Sequence, residues 1–594
     1  MSTTIDHKGI LSDSTATLAR VIRAVDQAEA ELDVTPNLSF GVSSNVSADL
    51  VSLFLRKHAL LHGKRLNCEV GGHDDVLNDV SRFAEAGVKN MLYIPFFDNL
   101  VPNFETRIDS FFDQDIEAIH SDFIMRTKLM FEKAKTMSMV YVSTFHLYDF
   151  AVDAGANDRR KMVLNVFNAK LRDLASGFPN VRLLDVGTIL QTISTEKAFD
   201  RRFYFLNTAP YRPVFLDELA RCIALASRGF GTYFYKALVL DCDNTLWGGV
   251  IGEDLMDGIK LDPHSFPGRV FWQAQQAFLG LERSGTLLCL CSKNNPEDVD
   301  QVLTSYPNQV LKDEQFILKK VNWQPKVENL KAIAQELNIG LDSLVFVDDS
   351  SFECESVRAA LPQVRVVQVP SSLQHYPKTI QEIRELFIAA GIMDESRSKT
   401  NQYTKILKAS AGSADFDSHD DYLRTLDLQV TLDRNSPKDI PRISELSMKS
   451  NQFNLTTLRQ DVGDITRRMA SSDNRVYSLK VSDRFGEAGL TGVAIVSWED
   501  EIATVEAFLM SCRVIGRGVE FSIWSQIAKD AAEKGCRFLQ ASYLPSAKNL
   551  QVADFYDRLG LSRIASTDAG TYYMKPIDRF TPPTVDYIKV ICGI

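Results

Sequence analysis

The stretch KALVLDCDNTLWGGVI, residues 236–251, decides the predicted fold of the central part of the chain. Residues 238–240 are a short apolar run typical of a buried parallel strand, and Asp241 and Asp243 follow at its carboxyl end. Ligands of open α/β sheets bind at this edge. Two carboxylates, a threonine and a glycine pair suit a hard cation and a phosphate, although the same residues are also common in ordinary turns.

Three later stretches favour a ligand site over a turn. Residues 287–291 are a second apolar run and lead into Ser292, and Lys326 stands at the start of a helical pattern. Residues 344–347 are a third apolar run, which leads into Asp348. An acidic pair, a hydroxyl, a lysine and a second acidic pair in this order resemble the haloacid dehalogenase superfamily of phosphohydrolases.

This resemblance implies roles for four side chains. Asp241 would attack phosphorus and form an aspartyl-phosphate, and Asp243 would protonate the leaving oxygen and later activate water. Ser292 and Lys326 would hold the phosphoryl oxygens, and Lys326 would also restrain the charged nucleophile.

The same resemblance implies a magnesium site and contacts to the substrate. The ion would be held by Asp241, the backbone carbonyl of Asp243 and Asp348, with Asp349 as a ligand or neighbour. Two further polar residues follow the same strands and are expected to bind substrate: Thr245 and Asn294.

Composition bounds the class of protein. A chain of 594 residues is too long for one core, so we expect three or four domains. The net charge of −11 argues against a nucleic-acid or anionic-membrane partner. The nine cysteines are scattered, without a C-x-x-C pair, which is typical of a reduced chain. We see no signal-peptide pattern and no apolar window long enough to cross a membrane, so we expect a cytoplasmic protein.

Residues 1–228 alternate strand-like runs with helical patterns, which predicts a doubly wound parallel sheet. The first strand leads into GVSSN, residues 41–45, which resembles the opening block of SGNH-type hydrolases. A working member needs a base to activate its serine, but the late stretch FDRRFYFLNTAPY, residues 199–211, contains no histidine. We therefore expect a non-catalytic SGNH-hydrolase-like domain.

The rest of the chain divides into three further segments. Residues 229–393 are predicted to form a Rossmann-like phosphatase domain, with no room for a separate cap domain between its first two strands. Residues 394–421 lose periodicity, which favours a helix and an exposed linker. Residues 422–594 are predicted to form an α+β domain, so the whole chain is a multidomain α/β protein.

The last domain carries a second motif. A predicted strand is followed by RVIGRG, residues 513–518, and then by an amphipathic helix. This order resembles the pyrophosphate-binding segment of GNAT-type acyltransferases, in which backbone N–H groups and arginines bind the phosphates of a pantetheine-type carrier. The resemblance makes four residues candidates for binding phosphopantetheine: Arg513, Gly516, Arg517 and Gly518. Tyr556 stands where that family often has a tyrosine acid. The alternative is a turn between a strand and a helix.

Several long motifs together resemble the FkbH-like proteins of polyketide biosynthesis. They are LDCDNTLWGGVIGED, CSKNN, NWQPKVENLKAIAQELNIGLDSLVFVDDS, NQFNLTT, DRFGEAGL and MSCRVIGRGVE. The family implies an enzyme that takes 1,3-bisphosphoglycerate, captures the glyceryl group as a thioester and removes the remaining phosphate. It then passes the glyceryl group to the phosphopantetheine arm of an acyl carrier protein.

Within that scheme Cys512 is the candidate thiol. It precedes Arg513 at a predicted strand end that faces a helix N-terminus, and both features lower the pKa of a thiol. The alternative is a small buried residue that packs the sheet. Asn451 and Asn454 of the NQFNLTT motif have amides suited to a small polyol, although Asn and Thr runs are also ordinary caps.

Two other functions stay open. The chain could be a magnesium phosphatase acting on another small phosphorylated acid or sugar without acyl transfer. It could also be a non-catalytic assembly module, which the complete set of phosphatase residues disfavours.

Overall fold

The computed structural model describes residues 7–592 apart from 14, 33–35, 37, 149–157, 228–234, 388–418, 485, 512, 513 and 547. The chain forms two compact units. One comprises Met1–Gly231, Asn435–Met448 and Arg459–Val476, and the other comprises Thr232–Arg434, Lys449–Leu458 and Tyr477–Ile594. Among the described helices, none combines the length and the apolar character needed to span a bilayer.

The N-terminal residues form a parallel five-stranded sheet, as predicted. Its strands are β1 (Leu38–Ser44), β2 (Leu66–His73), β3 (Asn90–Ile94), β4 (Met139–Ser143) and β5 (Val181–Leu184). The order is β2-β1-β3-β4-β5, which is typical of doubly wound sheets. The main helices are Leu18–Glu31, Val51–Leu61, Val76–Glu85, Asp113–Lys133, Arg159–Ser176, Val186–Ile193, Arg201–Asn207 and Pro213–Ala226. Apolar residues on both faces of the sheet are buried, which explains the near-continuous apolar runs.

The central residues form a second parallel sheet. Its strands are β6 (Ala237–Leu240), β7 (Leu287–Ser292), β8 (Phe316–Val321), β9 (Leu344–Asp348) and β10 (Arg365–Gln368), in the order β10-β9-β6-β7-β8. The helices are Ile251–Gly258, Gly268–Arg283, Pro296–Ser305, Lys326–Glu336, Ser351–Ala360 and Tyr376–Leu386. Between β6 and β7 the chain contains two of these helices, and no further sheet lies among the described residues there. The linker predicted for residues 394–421 lies almost wholly outside the described residues.

The C-terminal residues form a mixed sheet. Its strands are β11 (Leu428–Arg434), β12 (Phe453–Asn454), β13 (Asn474–Asp483), β14 (Gly486–Glu499), β15 (Ile502–Met510), β16 (Phe538–Tyr543), β17 (Ser562–Thr567), β18 (Gly570–Pro576) and β19 (Ile588–Cys592). The order is β17-β18-β16-β15-β14-β13-β11-β19, and β12 pairs with β15 outside this path. The helices include Ile440–Lys449, Val462–Ala470 and Trp524–Glu533.

The helix Val462–Ala470 packs against the N-terminal sheet domain in the first unit. Ser138 donates a hydrogen bond to the carboxylate of Asp461, which caps this helix. A Cβ atom on Gly463 would lie 2.3 Å from the carbonyl oxygen of Thr136, so only glycine allows this approach. The sequence pattern had not indicated this contact.

Candidate functional site

The predicted phosphatase residues lie at the carboxyl edge of the central sheet. Asp241 directly follows β6, Ser292 ends β7 and Asp348 ends β9. Because β6 lies between β7 and β9, the three strand ends are neighbours. Lys326 is the first residue of the helix Lys326–Glu336 and reaches the same edge. The four separated sequence segments are therefore brought into one place.

Lys326 joins two of the carboxylates. Its Nζ atom lies 2.8 Å from Asp241 Oδ1 and 2.6 Å from Asp348 Oδ2. Lys326 is 4% exposed and Asp348 is fully buried. Burial by itself lowers the pKa of the Lys326 ammonium, but the charges of Asp241 and Asp348 outweigh it and hold the pKa above its usual value. The lysine is therefore a fixed positive charge beside both acids.

Three carboxylates form a cluster suited to a divalent cation. Asp241, Asp348 and Asp349 each offer one oxygen, and these oxygens lie within 4.8 Å of one another. Burial and the charge of Asp241 raise the pKa of Asp348 to about 6, and the same two causes raise the pKa of Asp349. Hard carboxylate oxygens are the ligands that Mg²⁺ prefers, so the residues present fit this ion.

Asp243 points its carboxylate to a different set of partners. Its Oδ1 atom accepts hydrogen bonds from the Trp247 indole at 2.9 Å and from the Ile251 backbone N–H at 3.0 Å. Its Oδ2 atom accepts one from the Asn294 amide at 2.8 Å. Burial is the largest cause that raises the pKa of Asp243. This carboxyl is thus oriented and shifted towards the neutral form, as a general acid requires.

Ser292 and Asn294 belong to the same group of side chains. The Asn294 amide donates a second hydrogen bond to Ser292 Oγ at 3.1 Å, and both residues are buried. Thr245 is also buried, and its Oγ1 atom has no hydrogen-bond partner among the described residues. Its carbonyl oxygen accepts a hydrogen bond from the Tyr376 hydroxyl. Thr245 is thus buried two residues after Asp243, and its hydroxyl forms no hydrogen bond with Asp243.

Sequence reasoning missed two contributions to this site. Trp247 orients Asp243, and its position four residues later, inside the first stretch quoted, was the available signal. Lys293 forms an ion pair of 2.6 Å with Glu353 from the neighbouring helix Ser351–Ala360. This pair places a partly exposed ammonium next to Ser292.

The candidate phosphopantetheine segment is described only in part. Cys512 and Arg513 lie outside the described residues. Gly516 and Gly518 have φ angles of 80° and 78°, which disfavour other residues. The Arg517 guanidinium is paired with Asp483 at 2.9 Å. The predicted continuous helix after Gly518 is interrupted, because a 3₁₀ turn precedes the helix Trp524–Glu533.

The NQFNLTT motif fills a gap in the C-terminal sheet. Strands β15 and β16 pair only from Ile502 to Val505 on β15, and β12 pairs with the far end of β15. Leu455 continues this segment, since its N–H donates to Phe508 and its carbonyl accepts from Leu544. The short segment 453–455 therefore bridges the two strands where they diverge.

The two asparagines of this motif lie differently. Asn454 is completely buried, its amide donates to the Ser450 carbonyl and its Oδ1 atom has no partner among the described residues. Its own carbonyl accepts a hydrogen bond from the Asn549 amide at 2.9 Å. Asn451 is half-buried. Asn454 thus acts in packing in this conformation.

Tyr556, the candidate acid, lies in the core. It is 1% exposed, and its ring packs edge-on against Trp524 at 5.9 Å between centroids. Its hydroxyl has no hydrogen-bond partner among the described residues, and burial raises its pKa far above the usual value. A proton donor must contact its acceptor, and this buried hydroxyl contacts no acceptor among the described residues.

Comparisons with known proteins support the fold of part of the chain. No protein-family model and no curated protein matched the sequence. Among solved structures, the N-terminal part of a Bacteroides fragilis protein, which contains a phosphatase domain and was crystallised with Mg, aligns with a TM-score of 0.53 and 22% identity. The alignment covers 62% of this chain and 98% of that chain, and it indicates a shared fold.

Acetyltransferase structures align with a smaller part of the chain. The PaiA N-acetyltransferase from Thermoplasma acidophilum, in complex with coenzyme A, aligns with a TM-score of 0.21 and 11% identity, over 25% of this chain and 98% of that chain. The ribosomal-protein-S18-alanine N-acetyltransferase from Escherichia coli aligns with a TM-score of 0.20 and 12% identity, over 25% and 94%.

Proposed function

We propose that the chain is a magnesium-dependent phosphatase that also transfers an acyl group. The observation that carries the first half is the ion-paired set of Lys326, Asp241 and Asp348, with Asp349 beside it. A nucleophilic carboxylate, a fixed cation and a second oriented carboxyl, that of Asp243, are what phosphate-ester hydrolysis through an aspartyl-phosphate requires.

In the first step an Asp241 carboxylate oxygen attacks phosphorus and the bond from phosphorus to the leaving oxygen breaks. Asp243 donates its proton to that oxygen, which its raised pKa favours. In the second step Asp243 takes a proton from water, the water oxygen bonds to phosphorus, and the bond to Asp241 breaks to release inorganic phosphate. Lys326 and Ser292 stabilise the negative charge on the transferring group, and Asn294 orients Asp243 and Ser292 through its two N–H bonds.

Asp241, Asp348 and Asp349, with the backbone carbonyl of Asp243, would hold the Mg²⁺ ion. When bound, the ion supplies positive charge that offsets the repulsion between the acidic cluster and an anionic phosphate. The structurally similar Bacteroides fragilis phosphatase domain was crystallised with Mg, which supports the choice of ion.

The finer proposal concerns the substrate. We infer from the FkbH-like motifs that the chain takes 1,3-bisphosphoglycerate and loads a glyceryl group onto an acyl carrier protein in polyketide biosynthesis. An acyl phosphate is already activated and reacts with a thiolate directly, so Cys512 would displace phosphate and form the thioester. The phosphate ester at the other end of the glyceryl group needs the Asp241 site. The pantetheine thiol would then displace Cys512 from the thioester.

Specific observations also favour the alternative of phosphatase activity without acyl transfer. Arg517 is engaged by Asp483, Tyr556 is buried, and segment 453–455 fills the opening between β15 and β16. A phosphopantetheine arm that bound between β15 and β16 would have to replace these contacts.

Intact-mass spectrometry distinguishes the two functions. The full chain is incubated with Mg²⁺, 1,3-bisphosphoglycerate and a carrier protein bearing its phosphopantetheine arm. A glyceryl adduct on the carrier supports loading, and phosphate release alone supports the plain phosphatase. If the experiment gives no adduct and no phosphate release, both functions are contradicted. Cys512→Ser should abolish the adduct, whereas the exposed Cys592→Ser is the matched control. Asp241→Asn should allow a phosphoglyceryl group to form on the enzyme, but this group should keep its phosphate because the nucleophile is missing.

A further inference from the structure

The N-terminal sheet domain contains a cavity of about 390 Å³ that the proposed function does not use. It lies at the carboxyl ends of β1 and β2, the edge at which open α/β sheets bind ligands. Its volume falls in the range of small-molecule sites. Its polar lining includes Ser47, Asp49, His73, Asn207 and Thr208.

The hydroxyls that a hydrolase would use are occupied here. Ser43 Oγ donates to the buried carboxylate of Asp79 at 2.7 Å, and Ser44 Oγ donates to the carbonyl of Ile94 at 2.7 Å. A carbonyl cannot take a proton from Ser44, and the Asp79 carboxylate beside Ser43 is already engaged by Arg82 and by the Gly72 N–H. We therefore consider binding in this cavity and not hydrolysis.

Five other polar side chains around the cavity have free hydrogen-bonding groups. They are Ser47, Asp49, His73, Asn207 and Thr208, and no side-chain hydrogen bond or ion pair joins any of them to another described residue. They come from three separate segments of the chain that meet only in the folded domain. Together they offer hydroxyl, amide, imidazole and carboxylate groups to one ligand.

The walls of the cavity are held rigidly. The buried Asp79 carboxylate accepts the Gly72 N–H at 2.8 Å, and a Cβ atom on Gly71 would lie 2.1 Å from Asp79 Oδ2. The Ser47 N–H donates to the Thr208 carbonyl, which ties the loop after β1 to the end of the helix Arg201–Asn207. Thr208 has a φ angle of 51°, an unfavourable conformation for a β-branched residue that the surroundings must impose.

The charges around the cavity select the class of ligand. None of the residues that line it, all of which the structure describes, is a lysine or an arginine, whereas Asp49 supplies a carboxylate. A phosphate or carboxylate ligand would find no lysine or arginine among the lining residues and would be repelled by Asp49. Hydroxyl groups can donate to Asp49 and accept from the Asn207 amide and the Ser47 and Thr208 hydroxyls.

We propose that this cavity binds an uncharged, hydroxyl-rich ligand such as a neutral sugar or polyol group. The site is distinct from the acidic cluster that follows β6 and β9, whose partners are anionic phosphates. The inference does not depend on the proposed phosphatase or acyl-transfer activity, because every residue that carries it belongs to the N-terminal sheet domain.

Saturation-transfer NMR on the full chain tests the proposal with three neutral probes, methyl α-glucoside, glycerol and methyl glycerate, and two anions, gluconate and glycerate. We expect saturation transfer to at least one neutral probe. We also expect gluconate to bind at least tenfold more weakly than methyl α-glucoside, and glycerate at least tenfold more weakly than methyl glycerate. Absence of transfer to every neutral probe, or equal binding of the anions, would overturn the proposal.

Variants locate the binding to the cavity. Ser47→Trp fills the opening while keeping the backbone bond to Thr208, so it should lower neutral-probe affinity at least tenfold. Asp49→Asn should reduce the difference in affinity between the neutral and the anionic probes, because it removes the negative charge that repels the anions. Glu85→Trp is the control, since Glu85 is exposed at the far end of the helix Val76–Glu85, away from the carboxyl end of β2. Thermal melting and circular dichroism establish that each variant is folded. Neutral-probe binding that survives Ser47→Trp in a folded chain contradicts the assignment to this cavity.

Discussion

The Nζ atom of Lys326 lies 2.8 Å from Asp241 Oδ1, and both groups are buried. The same ammonium contacts Asp348 at 2.6 Å. One cation therefore compensates two carboxylates that would otherwise repel each other at the end of two adjacent strands. Removing one partner of a buried ion pair typically costs about 3–5 kcal/mol, because the remaining charge stays buried and uncompensated.

Lys326→Met should lower phosphatase activity about 10²–10³-fold and destabilise the metal-free chain. Since Mg²⁺ can replace the missing positive charge, we expect Mg²⁺ to raise the melting temperature of this variant more than that of the parent. Differential scanning calorimetry with and without Mg²⁺ measures both effects. Lys331→Met is the matched control, because Lys331 is exposed on the same helix and forms a surface ion pair with Glu328. Equal Mg²⁺ responses in the two variants would refute the bridging role.

Asp243→Asn should lower hydrolysis of an alkyl phosphate about 10²–10⁴-fold, because the carboxyl proton is lost. The variant keeps an oxygen that can accept from Trp247 and Ile251. With p-nitrophenyl phosphate the rate of the first step should decrease less, because its leaving group needs no proton. Rapid-mix burst kinetics with the two substrates separate these effects. An identical loss of the burst rate for both substrates would argue against Asp243 as the acid.

Asn549→Ala should destabilise the C-terminal domain by roughly 3 kcal/mol, because several buried groups lose their partners. The Asn549 amide donates to the carbonyls of Asn454 and Leu544, and its Oδ1 atom accepts from Ser546. Urea unfolding followed by tryptophan fluorescence measures the change. Gln551→Ala, an exposed neighbour, should change stability by less than about 0.5 kcal/mol. If the two variants unfold alike, Asn549 does not anchor segment 453–455.

The N-terminal sheet domain should lose stability in mild acid because of His146. Burial lowers the pKa of this histidine to about 4, and its ring stacks on Phe199. Between about pH 6.5 and pH 4 the unfolded chain binds a proton that the folded chain does not. The contribution of neutral His146 to the free energy of unfolding is therefore complete above about pH 6.5. It decreases as the pH drops towards 4, by up to roughly 3 kcal/mol.

His146→Phe keeps an aromatic ring and removes this titration, so it should show a smaller loss of stability between pH 7.5 and pH 5. Hydrogen exchange of β4 amides, compared between parent and variant at each pH, isolates the effect from the intrinsic exchange rate. A pH dependence that is unchanged by the substitution would exclude His146 as its source.

Thiol labelling with N-ethylmaleimide at pH 7 should separate the cysteines. Cys592 is exposed and should react. Four cysteines of the central domain should not react in the folded chain, because they are buried and burial raises their pKa values: Cys242, Cys289, Cys291 and Cys354. Peptide mass spectrometry identifies the labelled sites. If Cys512 labels faster than Cys592, the reactive-thiol role is supported, whereas no labelling of Cys512 counts against it.

Much of the central domain could be predicted from the sequence. The apolar runs that became β6, β7 and β9 each lead into polar residues, and parallel strands bring their carboxyl ends to one edge. Strands β8 and β10 were not identified, because β8 is partly exposed and carries two lysines and β10 has four residues. Local pattern is weakest for such edge strands.

The C-terminal motifs were harder to interpret. NQFNLTT offered polar side chains suited to a ligand, yet the fold uses its backbone to pair with β15 and buries Asn454. Tyr556 matched a family position, but its ring packs in the core. A motif specifies which groups are present and leaves open which of them face solvent, since this depends on strands far away in the chain.

The sequence by itself determined strands β6, β7 and β9 and the positions of Asp241, Ser292, Lys326 and Asp348 at strand or helix ends. Local preference and hydrophobic periodicity act over a few residues, so they can be read without a structure. Only the tertiary structure decided that Lys326 contacts both acids, that Asp243 turns to Trp247 and Asn294, and that unpaired polar groups after β1, β2 and the helix Arg201–Asn207 surround one cavity. Apart from the one between Asp243 and Trp247, these contacts join residues distant in sequence, and their geometry is set by how whole sheets and helices pack.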